Sequence, residues 1–128
     1  MITAVATSLE RPRPFLLPEL PTEPDLIAKY FGVLSDATRL RILGLLQERD
    51  ELSVGAIVEA LGLPQPKVSH HLACLRWCGF VATRREQRTV YYRVADERVG
   101  ELLRLGRALL ADNAEHVAAC RRVDAGRC

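Results

Sequence analysis

The stretch Leu63–Gly79, LPQPKVSHHLACLRWCG, decides the fold of this chain. Pro64 can begin a helix, because the N–H that proline lacks has no intrahelical partner at that position. Gly79 is typical of the residue that follows the end of a helix. Apolar residues recur between them at i, i+4 and i+7, namely Val68, Leu72 and Leu75. That spacing predicts a helix with one buried face and one face left for contacts.

The polar residues of this helix suit the groove of a nucleic acid. They are Gln65, Lys67, Ser69, His70 and His71. A shorter helix is predicted just before it, over residues 54–61, and the turn at residues 62–64 joins the two. Two helices around a tight turn that contains glycine form the helix-turn-helix pattern, whose second helix reads DNA. We expect His70 and His71 to contact DNA or to pack locally rather than to bind metal.

The spacing of apolar residues changes to two after Gly79, which predicts strands instead of a helix. Residues 80–83 and 88–94 are predicted to be two strands, with residues 84–87 as the charged tip between them. A β-hairpin directly after a recognition helix is a wing, whose cations are placed to contact phosphates. The predicted wing contacts to DNA are Arg84, Arg85, Gln87 and Arg88. Trp77 is expected to pack against this wing rather than to stack on DNA.

The rest of the chain is predicted to be mainly helical. Helices are expected from Asp25 onward, over residues 37–48, and over residues 97–120 with Asp96 as the cap. The last helix carries an apolar seam made of Val99, Leu102, Leu103, Gly106, Leu109, Leu110 and Val117. A homodimer through the first and last helices would bury this seam. The predicted fold class is therefore mainly α with a β-hairpin wing, a winged helix-turn-helix.

Three segments follow from these patterns. Residues 1–24 hold five of the seven prolines and predict a flexible proline-rich arm. Residues 25–120 are predicted to be the winged helix-turn-helix domain for DNA binding and dimerisation. Residues 121–128 form a tail that contains a cysteine.

The charge of the chain is unevenly distributed. The formal net charge is +2, yet residues 63–93 hold six basic residues and one acid, a local +5. This basic block indicates a polyanionic partner, and double-stranded DNA fits it. No apolar run approaches the roughly 20 residues of a membrane span, and the first residues do not resemble a secretory signal. We expect a cytoplasmic protein without a membrane partner, whose four cysteines are reduced.

Three strings of the sequence together resemble the ArsR/SmtB family of metal-responsive repressors. They are LSDATRLRILGLL at residues 34–46, SHHLACLRWCGFV at residues 69–81 and RREQRTVYYRVAD at residues 84–96. The resemblance covers residues 26–120 and implies a dimeric repressor that binds a palindromic operator and is released by an inducer metal. No nucleophile–base pair or Gly-rich phosphate loop is recognisable, so we do not expect an enzyme.

Two metal sites that are common in this family are missing from the sequence. Ser53 and Gly55 stand where one site has a Cys-x-Cys pair. The other site needs two pairs of ligands on the last helix, and only His116 fits it. A third arrangement, found in cadmium- and lead-sensing members, has Cys-x-x-x-Cys at the end of the recognition helix and a further cysteine after the last helix.

The cysteines of this chain match the third arrangement. The resemblance implies the metal ligands Cys74, Cys78 and Cys120, with Cys128 as a spare fourth ligand. Thiolates select soft ions, so cadmium, lead or mercury, or trivalent arsenic, would be the inducer. Arg76 is close in sequence and is expected to lower the pKa of the thiols. Cys120 could come from either protomer of the dimer.

The function expected from these residues is a repressor that leaves its operator when a soft divalent metal ion binds the thiolates. Two alternatives stay open. A thiol-redox repressor would respond to oxidation of its cysteines, with Cys120 or Cys128 joining the reaction, because neighbouring cysteines in one helix are poorly oriented for a disulfide. A DNA-binding regulator without any inducer would use the cysteines as small core residues.

Overall fold

A computed structural model describes residues 21–124, with only the backbone given at residue 123. The helices are α1 (Glu23–Val33), α2 (Ala37–Arg49), α3 (Val54–Leu61), α4 (Gln65–Trp77), α5 (Glu97–Ala119) and α6 (Arg121–Asp124). The strands are β1 (Leu52–Ser53), β2 (Val81–Glu86) and β3 (Thr89–Val94). Most of the predicted arm and the predicted ligand Cys128 lie outside the described residues.

Polar side chains fix where the helices begin. α1 starts two residues earlier than predicted, because Thr22 and Asp25 form a reciprocal capping box. The side chain of Asp36 accepts a 3.1 Å hydrogen bond from the backbone N–H of Arg39 at the start of α2. Asp96 caps α5 as predicted, accepting from the backbone N–H of Arg98. Hydrogen bonds from the Arg98 side chain and backbone lower the pKa of Asp96 to about 2.

One hydrophobic core joins α2, α3, α4, the wing and the start of α5. Its fully buried side chains are Ile42, Leu43, Leu46, Ile57, Val68, Leu72, Leu75 and Phe80. The three apolar residues that predicted the recognition helix are all among them, so that prediction is confirmed. The ring of Tyr30 stacks on Phe80 at a centroid distance of 4.6 Å, which places α1 over the end of α4.

The described residues contain one antiparallel sheet with the strand order β1-β3-β2. β1 was predicted to be part of a polar loop, and this was wrong. It is a strand because Leu52 and Ser53 pair with Tyr92 and Tyr91 of β3. The predicted tip of the wing was also wrong, because β2 continues to Glu86 and the turn is short.

A tight carboxyl-terminal closure ends the recognition helix α4. Gly79 has a φ of 83°, a left-handed conformation that suits glycine. The backbone N–H of Gly79 bonds to the carbonyl of Arg76, and that of Phe80 bonds to the carbonyl of Leu75. This pair of bonds is a Schellman motif, and the buried side chains of Leu75 and Phe80 supply its hydrophobic contact.

The carboxyl-terminal half of α5 does not pack on its own protomer. Val99 and Leu103 are buried in the first half, whereas Leu109 is 66% exposed. An apolar groove opens between α1, α2 and α5. It is lined by Phe31, Leu34, Leu40, Leu102, Leu103, Gly106, Arg107 and Leu110. None of the helices described in residues 21–124 has the length and apolar character needed to cross a lipid bilayer.

Candidate DNA interface and thiol pair

The outer face of α4 is polar, basic and open to solvent. Four residues predicted to contact DNA are exposed on it, namely Gln65, Lys67, Ser69 and His70. The α4 segment contains no aspartate or glutamate, so no acidic side chain of its own offsets Lys67 and Arg76. This face can therefore accept the sugar-phosphate edge of a duplex.

His71 lies on the opposite side of α4, with only 8% of its surface exposed. Its Nδ1 accepts a 3.1 Å hydrogen bond from Nε of Arg39. The geometry does not support the expectation that His71 contacts DNA, and it matches the alternative of local packing. The cause is helical spacing, because position 71 falls beside the buried Leu72 and Leu75 rather than beside His70.

Arg39 is a structural residue that the sequence did not reveal. Besides its bond to His71, its Nη1 donates a 3.1 Å hydrogen bond to the carbonyl of Val33 at the end of α1. One guanidinium therefore connects α1, α2 and the recognition helix. No local pattern could have indicated this, since Arg39 and His71 are 32 positions apart. Every buried side-chain nitrogen and oxygen in the described residues has a hydrogen-bond partner.

Arg84 is held by acidic side chains of the protein itself. Its guanidinium donates two-pronged hydrogen bonds to Glu51, with a shortest distance of 2.7 Å, and a further bond to Glu86. It also lies 4.7 Å from the centre of the Tyr91 ring. These partners balance its charge and raise its pKa, so the geometry does not support Arg84 as a phosphate contact.

The other predicted wing residues remain exposed. Arg85 lies in β2, and Gln87 and Arg88 form the turn between Glu86 and Thr89, which pair across the hairpin. Gln87 has a φ of 55°, in the left-handed region where glycine is common. The wing therefore offers Arg85 and Arg88 as its exposed cations at the turn.

Cys74 and Cys78 are one helical turn apart and half-buried at the end of α4. Burial raises the pKa of the Cys78 thiol, and charge on Cys74 together with the hydrogen bond that the Cys78 thiol donates to the Cys74 sulfur raises this pKa further. Arg39 and Lys29 oppose the rise. The expected effect of Arg76 on this thiol was wrong, because the positive charges that act on Cys78 come from α1 and α2. Each thiol of the pair would have to give up its proton for the sulfur to bind an ion.

Cys120 is the residue immediately after α5. Within residues 21–124, no group of three or more His, Cys, Asp or Glu side chains is arranged to hold a metal ion. Cys120 therefore does not complete a site with Cys74 and Cys78 inside one protomer. The two thiols of α4 fit a soft ion as a chelating pair, and no third ligand joins them among residues 21–124.

Trp77 projects from the last turn of α4 and is 91% exposed. It was expected to pack against the wing, and this was wrong. The side chain lies on the outer side of the helix, away from the core residues Leu75 and Phe80.

Comparison with known proteins agrees with this geometry. Residues 36–83 match a family model described as bacterial regulatory protein, arsR family. Over 102 residues the chain is 43% identical to the probable mercury resistance operon repressor of Streptomyces lividans, covering 80% of this chain and 81% of that protein. The crystal structure of Rv0081 from Mycobacterium tuberculosis superposes with a TM-score of 0.69 at 37% identity, covering 77% of this chain and 100% of the other.

A solution structure adds the assembly state of another similar protein. It is the homodimeric winged helix-turn-helix DNA-binding domain of Mb0332 from Mycobacterium bovis, a possible ArsR-family regulator. It superposes with a TM-score of 0.65 at 35% identity, covering 73% of this chain and 85% of that one. These likenesses confirm the predicted winged helix-turn-helix fold and the expectation of a regulator rather than an enzyme. From its identity to the S. lividans repressor and its family match, this chain belongs to the arsR family of bacterial regulatory proteins.

Proposed function

We propose that this protein is a homodimeric repressor that binds operator DNA through α4 and the wing, and leaves it when a soft metal ion binds cysteine thiolates. The observation that carries the proposal is the position of the thiol pair. Cys74 lies in the helix that carries the proposed DNA contacts Lys67 and His70, and Cys78 caps the end of that helix. A ligand held by these sulfurs therefore acts directly on the element that grips the duplex.

The DNA contacts are assigned to exposed side chains of the described structure. They are Gln65, Lys67, Ser69 and His70 on α4, with Arg85, Gln87 and Arg88 on the wing. The α4 residues are placed for base edges and nearby phosphates, and the wing cations for phosphates alone. His71 and Arg84 are left out because each is held by a partner within the protein.

The dimer is assigned to α1 and α5. The apolar groove between them exposes Phe31 and Leu110, each about half accessible in the single protomer. A second copy that packs the same helices against this groove would bury them, and one similar protein is described as homodimeric. The replacement Leu110→Glu is expected to give a monomer by analytical ultracentrifugation, whereas Glu115→Gln on the same helix leaves a dimer.

The metal site is assigned to Cys74 and Cys78 of one protomer, with Cys120 of the second protomer as the third sulfur. α5 spans about 35 Å, and Cys120 at its end has no place in a three-ligand cluster with the thiols of α4 within the described protomer. Mercury is the first candidate, because a relative is named for mercury resistance and because soft ions prefer thiolates. Cadmium, lead and trivalent arsenic are the other candidates.

The coupling between ion binding and DNA binding is assigned to α4 and to its bonds with the other helices. Arg39 bonds to His71 on α4 and also acts electrostatically on Cys78. Ion binding replaces the two thiol protons with one ion bonded to both sulfurs, which fixes the position of Cys78 relative to this guanidinium. The repositioned helix would then fit the operator less well, and a coupling of about 1–3 kcal/mol is typical of such linkage.

The test is operator release by mercuric, cadmium and lead salts under reducing conditions. Cys74→Ser and Cys78→Ser proteins should bind DNA as the unmodified protein does but should stay bound when the ion is added. Ala95→Ser is the matched control, since it adds a hydroxyl at an exposed position outside α4 without removing a sulfur. Normal release of the Cys74→Ser protein would show that the ligand assignment is incorrect.

The alternative function is a thiol-redox repressor, in which Cys120 or Cys128 forms a disulfide with Cys74 or Cys78, because two cysteines in one intact helix are poorly oriented for a disulfide with each other. It predicts release by peroxide in metal-free buffer and no release by ions in the presence of a reductant. A regulator without an inducer would respond to neither treatment.

A further inference from the structure

Trp77 is an exposed residue at the end of α4 that is not among the proposed DNA contacts. A tryptophan carries a large apolar surface, and such residues are enriched at binding sites. Trp77 is the single tryptophan of the chain and is 91% exposed in the protomer. It does not line the apolar groove assigned to the dimer, so that interface gives no reason for its exposure.

Helical spacing places Trp77 on the face that is proposed to meet DNA. Positions 70 and 77 are seven residues apart, close to two full turns, and share one side of the helix. Pro66 and Ala73 complete the same stripe, and all four residues are exposed. The small side chain of Ala73 leaves the surface open between His70 and Trp77.

Distance along the helix indicates which part of the duplex Trp77 would meet. Seven residues span about 10 Å, whereas the major groove is about 12 Å wide. If His70 lies over the base edges, Trp77 lies about 10 Å further along α4. It is then close to the sugar-phosphate backbone that borders the groove. The indole can pack on deoxyribose, and its N–H can donate to a phosphate oxygen.

The charge around Trp77 and the rigid backbone at the end of α4 also favour a contact with DNA. The neighbouring Arg76 is exposed, and no acidic side chain on α4 opposes an approaching phosphate. The Schellman closure at Gly79 and Phe80 fixes the backbone just beyond Trp77. Because the backbone here is already fixed, binding does not have to order the end of the helix.

We propose that Trp77 is a DNA-contacting residue that packs on the sugar-phosphate wall beside the segment read by His70. The inference rests on the proposed DNA binding and is independent of the metal response. It adds to the interface an apolar anchor at the carboxyl end of the recognition helix.

The experiment uses the full chain and a duplex of about 30 base pairs, long enough for two half-sites one turn apart. The duplex is selected from a randomised pool by the unmodified protein. Trp77→Ala should weaken binding about tenfold or more, as expected for loss of an aromatic anchor. Trp77→Phe keeps a ring and should recover most of this loss. A phenylalanine protein that binds no better than the alanine protein would contradict packing by the ring.

Salt dependence separates this contact from the ionic ones. Trp77→Ala removes no charge and should leave the slope of affinity against salt unchanged, whereas Lys67→Ala should reduce it by about 1. Circular dichroism and dimer mass should not change, because Trp77 is outside the core and the apolar groove.

The emission of Trp77 gives a second readout. Without DNA, acrylamide should quench the fluorescence of Trp77 readily. Binding of the duplex should shield the indole and reduce this quenching. Equal affinity of the Trp77→Ala protein, or an indole already shielded in the DNA-free dimer, would overturn the inference alone. Failure of the unmodified protein to bind any duplex would overturn the proposed function with it.

Discussion

Nε of Arg39 donates a 3.1 Å hydrogen bond to Nδ1 of His71, joining the first turn of α2 to the buried side of the recognition helix. Because Nδ1 accepts this bond, His71 carries its proton on Nε2 in the neutral ring. The same guanidinium bonds to the carbonyl of Val33. The recognition helix is thus attached to α1 and α2 by polar bonds as well as by the core.

Replacement of Arg39 should destabilise the protein more than its partial exposure suggests. Arg39→Met keeps the apolar stem but leaves the buried His71 nitrogen without its donor, at a cost of about 1–3 kcal/mol. Urea unfolding monitored by circular dichroism measures the change. Arg41→Met, an exposed arginine two positions on, is the matched control and should change stability little. Equal effects of the two replacements would show that the bond to His71 is unimportant.

The wing arginines should differ in their contribution to DNA binding. Arg84 is bonded to Glu51 and Glu86, so Arg84→Ala should alter the salt dependence of binding only slightly. Arg88→Ala removes an exposed cation at the turn and should lower the salt slope by about 1. Fluorescence anisotropy of a labelled duplex at several salt concentrations measures both. A larger change for Arg84→Ala than for Arg88→Ala would mean that Arg84 exchanges its carboxylates for phosphates.

The affinity for a soft ion should rise with pH. Burial raises the pKa of the Cys78 thiol, so the proton competes with the ion throughout the neutral range. Between about pH 6 and about pH 8, cadmium affinity should increase by up to about tenfold per pH unit for each thiol that loses a proton. Competition with a chelator of known affinity measures it. Cys78→Ser should remove one proton from this dependence, and an affinity that does not change with pH would contradict thiol ligation.

A strained turn before β1 offers a way to stabilise the protein. Asp50 has φ 65° and ψ −56°, and the N–H of Glu51 bonds to the carbonyl of Arg49 across it. This is a γ-turn that is unfavourable for residues with a Cβ. Asp50→Gly should raise the free energy of unfolding by about 1 kcal/mol, as measured by urea unfolding. Asp50→Ala keeps the Cβ and should give no such gain. The Glu51–Arg84 pair lies next to the turn and should persist in both proteins.

The sequence predicted those parts of the fold that depend on neighbouring residues. The helix over residues 54–61 has the predicted bounds, because Ser53 caps its start and Gly62 closes its end within a few positions. β1 was missed because two residues become a strand only through pairing with Tyr91 and Tyr92. Residue type also could not distinguish a polar side chain facing DNA from one facing the protein. His71 and Arg84 bond to Arg39 and Glu51, which lie 32 and 33 positions away.

The closure of α4 at Gly79 constrains how any signal can travel from the sulfurs to the duplex. Its final carbonyls are already engaged by Gly79 and Phe80, so the helix resists unwinding or lengthening at that end. A displacement of Cys78 on ion binding would then move α4, which is about 20 Å long, as a rigid body. The response at Lys67 would be a tilt of the whole element, with its largest displacement at the tip farthest from the ion.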